Sequence, residues 1–151
     1  MFYKKSKGFT LIELLVVIAI IGILATIVLV SLNSARQKAR DVRRIGDLRQ
    51  VALALEMYYD DNAGYPSVTG CTSATWDTMA TAIEGGGYMT VVPDDPNDSG
   101  SYMYMYGSNG TDYVLKATLE NLSNSAFDTD VDGTAQSCDC ADATGFYCIQ
   151  P

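Results

Sequence analysis

The residues best placed to do chemistry lie late in the chain. In DTDVDGTAQSCD, Asp128, Asp130, Asp132 and Gly133, then Asp139 after five intervening residues, follow the spacing of a calcium loop. In such a loop alternating carboxylates converge on one ion and the glycine permits the sharp turn. Two features depart from the pattern: position twelve is Asp139 where a glutamate normally supplies two oxygens, and cysteines flank the run where helices normally stand. The competing reading is a solvated acidic loop. Calcium is the one cofactor for which the sequence offers a place, and none is required.

Cys71, Cys138, Cys140 and Cys148 form the second group, and all lie in the C-terminal two thirds. An even number of cysteines in a small head facing an oxidising space reads as a disulfide framework. Zinc is disfavoured, because no histidine and no set of Cys-x-x-Cys pairs completes four ligands. A bond between Cys138 and Cys140, only two apart, would be strained, so the expected frameworks join Cys71 to one of them and Cys148 to the other. Either would close roughly 70 residues and contribute about 4 kcal/mol by the loop-entropy estimate.

No catalytic constellation accompanies these groups. The chain has no histidine, no nucleophile with a base at recognisable spacing and no cofactor fingerprint. The triplet Gly85-Gly86-Gly87 neither follows a strand nor opens a helix, so it is no phosphate loop. The chain is therefore expected not to be an enzyme.

The third group is a single carboxylate, Glu13, set in the apolar run GFTLIELLVVIAIIGILATIVLV. A charge inside a membrane segment is costly and normally finds a partner. Residues 14–35 are uncharged, 22 in all, which as a helix spans roughly 33 Å and crosses a bilayer. Before the run stand Lys4, Lys5 and Lys7 with no acid. The run is longer than the core of a secretory signal and is expected to be retained.

Charge divides the chain. Residues 1–49 hold nine of the ten basic groups and three acids, whereas residues 50–151 hold Lys116 against fifteen acids. That balance gives no sign of nucleic-acid binding. A count of basic residues flanking the span would leave the head in the cytoplasm, but the leader, the acidic head and the cysteines favour an exported one.

The stretch KGFTLIELLVVIAIIGILA resembles the leader and N-terminal helix of type IV pilins and pseudopilins. That resemblance implies cleavage by a prepilin peptidase between Gly8 and Phe9 and methylation of the new amino group at Phe9. It implies that Glu13 pairs with the terminal amine of a neighbouring subunit during assembly; the competing reading is a glutamate favoured by the helix dipole and snorkelling to the interface. The family usually has a proline where this chain has Val30, so local unwinding there is not expected. Some pilins and pseudopilins bind calcium in this part of the head, through ligands that do not follow the loop pattern above. The run YYDDNAGYPS resembles the helix exit of these proteins, and VVPDDP resembles the loop before their hairpin.

The elements that must position these groups follow from periodicity. Leu32, Ala35, Ala39, Val42, Ile45, Leu48, Ala52, Leu55 and Tyr59 form one apolar stripe, extending the helix from about Thr10 to Asp60. Arg36, Lys38, Arg40, Arg43, Arg44 and Arg49 are expected on the opposite face, against a neighbour's acidic head or anionic lipid. Gly64 and Pro66 stop the helix. Residues 72–84 form a second helix capped by Thr72 or Ser73 and buried through Trp76, Met79, Ala80 and Ile83. SYMYMYG and DYVLKATLE form a hairpin around Ser108-Asn109-Gly110, and GFYCIQ is a third strand.

The expected fold is α+β: a long N-terminal helix on a small antiparallel sheet, closed by a disulfide-stapled C-terminal loop. Its parts are a leader, 1–8; a transmembrane and filament-core helix, 9–35; an amphipathic continuation, 36–62; and a globular head, 63–151. The resemblance implies a single-pass protein of the cytoplasmic membrane with an exported head, drawn into an extracellular homopolymer by an assembly platform and its ATPase. A type IV pilus subunit for adhesion, motility or DNA uptake is the first expectation. The alternatives are a pseudopilin of a type II secretion-like system and a membrane-anchored calcium-dependent module that does not polymerise.

Overall fold

The computed structural model describes residues 8–151. The leader residues 1–7, with Lys4, Lys5 and Lys7, lie outside the described residues. The chain divides into two units, one ending at Arg36 and one covering Gln37–Pro151. Helix α1, Leu11–Asn62, contributes to both.

In the first unit α1 carries a window of mean hydropathy 3.1 with none of its described side chains buried. It is long and apolar enough to cross a membrane. The helix is unbroken at Gly22 and at Val30.

In the second unit α1 becomes the spine of a core. Leu48, Val51 and Leu55 are fully buried and pack with α2, Ser73–Gly85, and a three-stranded sheet. Helix α2 begins with a capping box in which Thr72 and Thr75 bond each other's backbone N–H, satisfying donors a helix start leaves open. Trp76, Met79 and Ile83 are its buried face, as their spacing predicts.

The sheet has β1, Met105–Ser108; β2, Tyr113–Thr118; and β5, Phe146–Ile149. Its order is β1-β2-β5, antiparallel throughout. A further two-stranded hairpin, β3, Gly133–Ala135, and β4, Cys138–Cys140, forms inside the acidic segment, where no strands were expected.

Strand β2 is buried along its whole length, because both faces are covered. Tyr113, Leu115 and Ala117 join the helix-facing core, while Val114 packs among Cys138, Cys140 and Cys148. Gly107 makes the second layer fit: a Cβ there would lie 2.3 Å from the Gln136 carbonyl oxygen and 3.1 Å from Cys138 Sγ.

Two expectations about α1 are corrected. Val42 is 68 % exposed and Tyr59 39 % exposed, whereas Asp41 and Arg44 are fully buried. The buried face therefore passes through a charged pair, and Arg40 and Arg44 turn into the head rather than lying on an outward basic face. Arg44 donates Nε–H to Asp95 Oδ2 at 2.6 Å and Nη1–H to Asp41 at 2.9 Å and Glu120 at 2.9 Å. Asp41 in turn accepts the backbone N–H groups of Glu120 and Asn121, each at 2.9 Å. Burial is tolerated because every charge has an oppositely charged partner.

Candidate functional site

The acidic segment is organised by its cysteines. Cys71 bonds Cys138 and Cys140 bonds Cys148, one of the two expected frameworks. The first closes a separation of 67 residues and the second one of 8. Cys148 sits in β5 opposite Lys116 of β2, and Cys140 sits in β4 opposite Gly133 of β3. The second disulfide thus ties the acidic hairpin to the central sheet.

Carboxylate oxygens of Asp130, Asp132 and Asp142 lie within 4.8 Å of one another. Asp130 and Asp132 are two of the four expected ligands. Asp139 is not brought in: it lies in β4 opposite Thr134 and is exposed between two buried cysteines. Strand alternation sends position twelve of the expected loop to the other face of the hairpin, so a twelve-residue chelating loop does not form. Asp142, at the start of a 3-10 turn over Asp142–Thr144, takes the place beside Asp130 and Asp132. Asp128 is exposed at the end of another 3-10 turn, Ser125–Thr129, close enough for its charge to raise the pKa of Asp142.

The electrostatics are those of an anion cluster short of positive charge. Burial pushes the Asp130 carboxyl up to about 6; the N–H of Cys148 opposes this and the charges of Asp142 and Asp132 add to it. Asp142 is raised chiefly by burial and then by Asp132. Asp130 Oδ2 accepts the Cys148 N–H at 3.0 Å, but Asp130 Oδ1 and Asp142 Oδ1 are buried with no hydrogen-bond partner. Orphaned anionic oxygens facing like charges are what a hard cation satisfies, and an all-oxygen donor set suits calcium better than zinc.

At the other end of the chain, Glu13 is the third residue of α1. Its Oε2 accepts the Thr10 N–H at 2.9 Å and the Thr10 hydroxyl at 2.6 Å, and Thr10 Oγ1 accepts the Glu13 N–H at 3.3 Å. This is a capping box, which gives the carboxylate partners within its own chain. Gly8 and Phe9 precede the helix, and Phe9 is 80 % exposed.

Sequence reasoning missed Thr10, Asp142 and the Arg44 network. The Thr-x-x-Glu spacing of Thr10 and Glu13 was a readable capping signal. For Asp142 the signal was its place inside the short segment between Cys140 and Cys148.

The N-terminal residues match known proteins directly: the family model described as the prokaryotic N-terminal methylation motif matches residues 3–29. The chain is 36% identical over 98 residues to the type II secretion system core protein G of Aeromonas hydrophila, covering 62% of this chain and 68% of that one. It is 33% identical over 112 residues to the core protein G of Klebsiella pneumoniae, covering 71% and 80%. With that of Escherichia coli K12 the identity is 34% over 118 residues, covering 75% and 81%. No solved structure matches the chain.

Proposed function

Because the chain belongs to the pilin and pseudopilin family, through relatives named type II secretion system core protein G, we propose that it is itself a pseudopilin. Its role is that of a structural subunit in the short fibre of a secretion machine. The observation that carries this reading is the 34% identity extending over 81% of the Escherichia coli core protein G, well beyond the shared N-terminal motif. A type IV pilus, placed first on sequence grounds because of the stapled head, has support at the family level only.

The chemistry begins at the leader. Prepilin peptidase cuts between Gly8 and Phe9 and methylates the Phe9 amine, leaving a mature chain of residues 9–151. The apolar half of α1 then has two solvents open to it, lipid or the matching helices of other copies, and the secretion platform with its ATPase moves it from the first to the second. Glu13 takes part at the docking step: its capping partner Thr10 keeps it satisfied before assembly, and a neighbour's methylated amine offers a full opposite charge one turn away. An ion pair formed only in the correct axial register would select that register.

In the head, Asp130, Asp132 and Asp142, with Asp128 beside them, would hold calcium. The ion would supply the positive charge that their buried oxygens lack, fixing the acidic hairpin against the sheet. No catalysis by the chain is proposed.

The test is a clean deletion complemented in trans, scored for exported proteins in the medium and for fibres sheared from the cell surface. Loss of exported proteins with surface fibres intact is expected. Loss of long surface fibres with export intact would replace this reading with the pilus, and both intact would leave a module that does not polymerise. Mass spectrometry of the mature chain is expected to show N-methylated Phe9, and an intact Met1 would remove the processing step.

A further inference from the structure

We infer that the Cys140–Cys148 disulfide is the positioning element of the cation site, so that cation affinity depends on it although no sulfur binds the ion. The inference rests on the calcium reading above. One of the three carboxylates bonds a half-cystine directly, and the other two stand one or two residues from backbone that the other half-cystine holds. Asp130 accepts the Cys148 N–H at 3.0 Å, and the next residue, Val131, donates its own N–H to the Cys148 carbonyl oxygen at 3.0 Å. Cys148 therefore grips the Asp130 segment from both sides. Asp132 precedes Gly133, whose backbone pairs with Cys140. Asp142 follows Cys140 by two residues, at the head of the turn enclosed by the disulfide.

That turn is held at its far end as well. Gly145 adopts φ +78° and its carbonyl oxygen accepts the Leu119 N–H at 2.7 Å; a Cβ there would meet the Leu119 oxygen at 2.8 Å. With Gly145 fixed to the end of β2 and Cys140 bonded to Cys148, residues 141–144 have little freedom to carry Asp142 outward. Without the disulfide, β4 and the turn are released at one end, and three like charges within 4.8 Å have reason to separate. The covalent link holds the anions together before an ion arrives, which is preorganisation of a site by its supporting shell.

Cys71–Cys138 is the internal comparison. It shares the sulfur layer with the other bridge, yet neither of its cysteines bonds a carboxylate of the trio. It also closes the longer segment, 67 residues against 8, so its loss is expected to lower stability more while disturbing the site less.

The experiment uses the full mature chain in detergent micelles and calcium as the probe. Calcium affinity is measured by isothermal titration, and the calcium-free melting temperature is recorded for each protein. The Cys140→Ser/Cys148→Ser chain is expected to bind calcium about 10- to 100-fold more weakly, the cost typical of removing a metal site's outer support. The Cys71→Ser/Cys138→Ser chain is expected to melt lower and to stay within about threefold of the parent's affinity. Terbium bound in the calcium site should show a shorter luminescence lifetime in the first variant, from added coordinated water, and an unchanged one in the second. Equal affinity in the Cys140→Ser/Cys148→Ser chain would overturn the inference while leaving the calcium reading intact. So would a loss that tracks melting temperature across both variants. If the parent binds no calcium, or Asp142→Asn binds it unchanged, the calcium site itself falls and this inference with it.

Discussion

The two halves of α1 solve opposite problems with one secondary structure. In the unit ending at Arg36, Ile21, Leu24 and Ile27 are each more than half exposed. In the unit from Gln37 onward, even a guanidinium is fully buried, with Asp41, Asp95 and Glu120 around it. The head carries its own solvent of packed side chains and paired charges. The N-terminal half must borrow one, from lipid or from other copies. Stability should therefore be set by residues of the head, and assembly by residues that are thermodynamically silent in the single chain.

The sharpest way to test that division is Arg44→Met. Removing the cation strands two buried carboxylates, Asp41 and Asp95, and weakens the hold on Glu120. Breaking a buried pair costs about 3–5 kcal/mol, and more than one partner is lost here, so about 5 kcal/mol is expected. Thermal unfolding of the full chain in detergent should show a fall in melting temperature of more than about 10 °C. A shift under about 3 °C would mean the network is not what organises the head.

The loop-closing disulfide comes next. Cys71→Ser/Cys138→Ser frees a 67-residue segment and is expected to cost about 4 kcal/mol by the chain-entropy estimate. Urea unfolding under non-reducing conditions measures it, and an unchanged midpoint would show that the sheet alone fixes the C-terminal layer.

These two effects also mark what the sequence could and could not tell. Apolar spacing was enough for α1, α2 and the β1-β2 hairpin, because each is decided by neighbours three, four or two residues away. The buried face of α1 was misplaced at Val42 for the same reason: periodicity ranks Asp41 and Arg44 as outward-facing. The distant acceptors of Arg44 stand 51 and 76 residues beyond it, at Asp95 and Glu120, and a non-local network has no period. The reading of the carboxylate trio failed similarly at one member. A loop template counts along the chain to Asp139, whereas the fold closes the site across a β-pairing and a disulfide and so reaches Asp142. At Glu13 the type and spacing were legible, and only the capping partner Thr10 went unread.

A smaller effect separates the network's rim from its centre. Hydrogen bonds from Arg40, then those from Arg44, hold the Glu120 carboxyl down at about 2. A carboxylate with a lowered folded pKa adds stability above its ordinary value, near 4.5, and that stability is lost as pH falls through 2. Glu120→Gln should cost about 2 kcal/mol at neutral pH, in line with a charged hydrogen bond. It should also flatten the loss of melting temperature between about pH 4.5 and 2. An acid limb as steep as the parent's would place the proton-sensitive group elsewhere.

The smallest effect on the single chain belongs to the other half of α1, and under the proposed function it is the one that decides assembly. Ile21 is 58 % exposed, so Ile21→Ala removes apolar surface that the isolated chain never buried. Detergent melting should move by less than about 0.5 kcal/mol, as for surface substitutions generally. In a fibre whose core is a bundle of these helices, the same truncation leaves a cavity between copies and should cost about 2–4 kcal/mol per buried site. The yield of fibre built from this chain, read by chemical cross-linking of its copies in the cell envelope and normalised to membrane-inserted chain, should therefore fall at least tenfold while the head melts as before. Equal fibre yield would mean that this face of α1 meets lipid or solvent in the assembled state. The N-terminal half would then be an anchor rather than the core of a polymer.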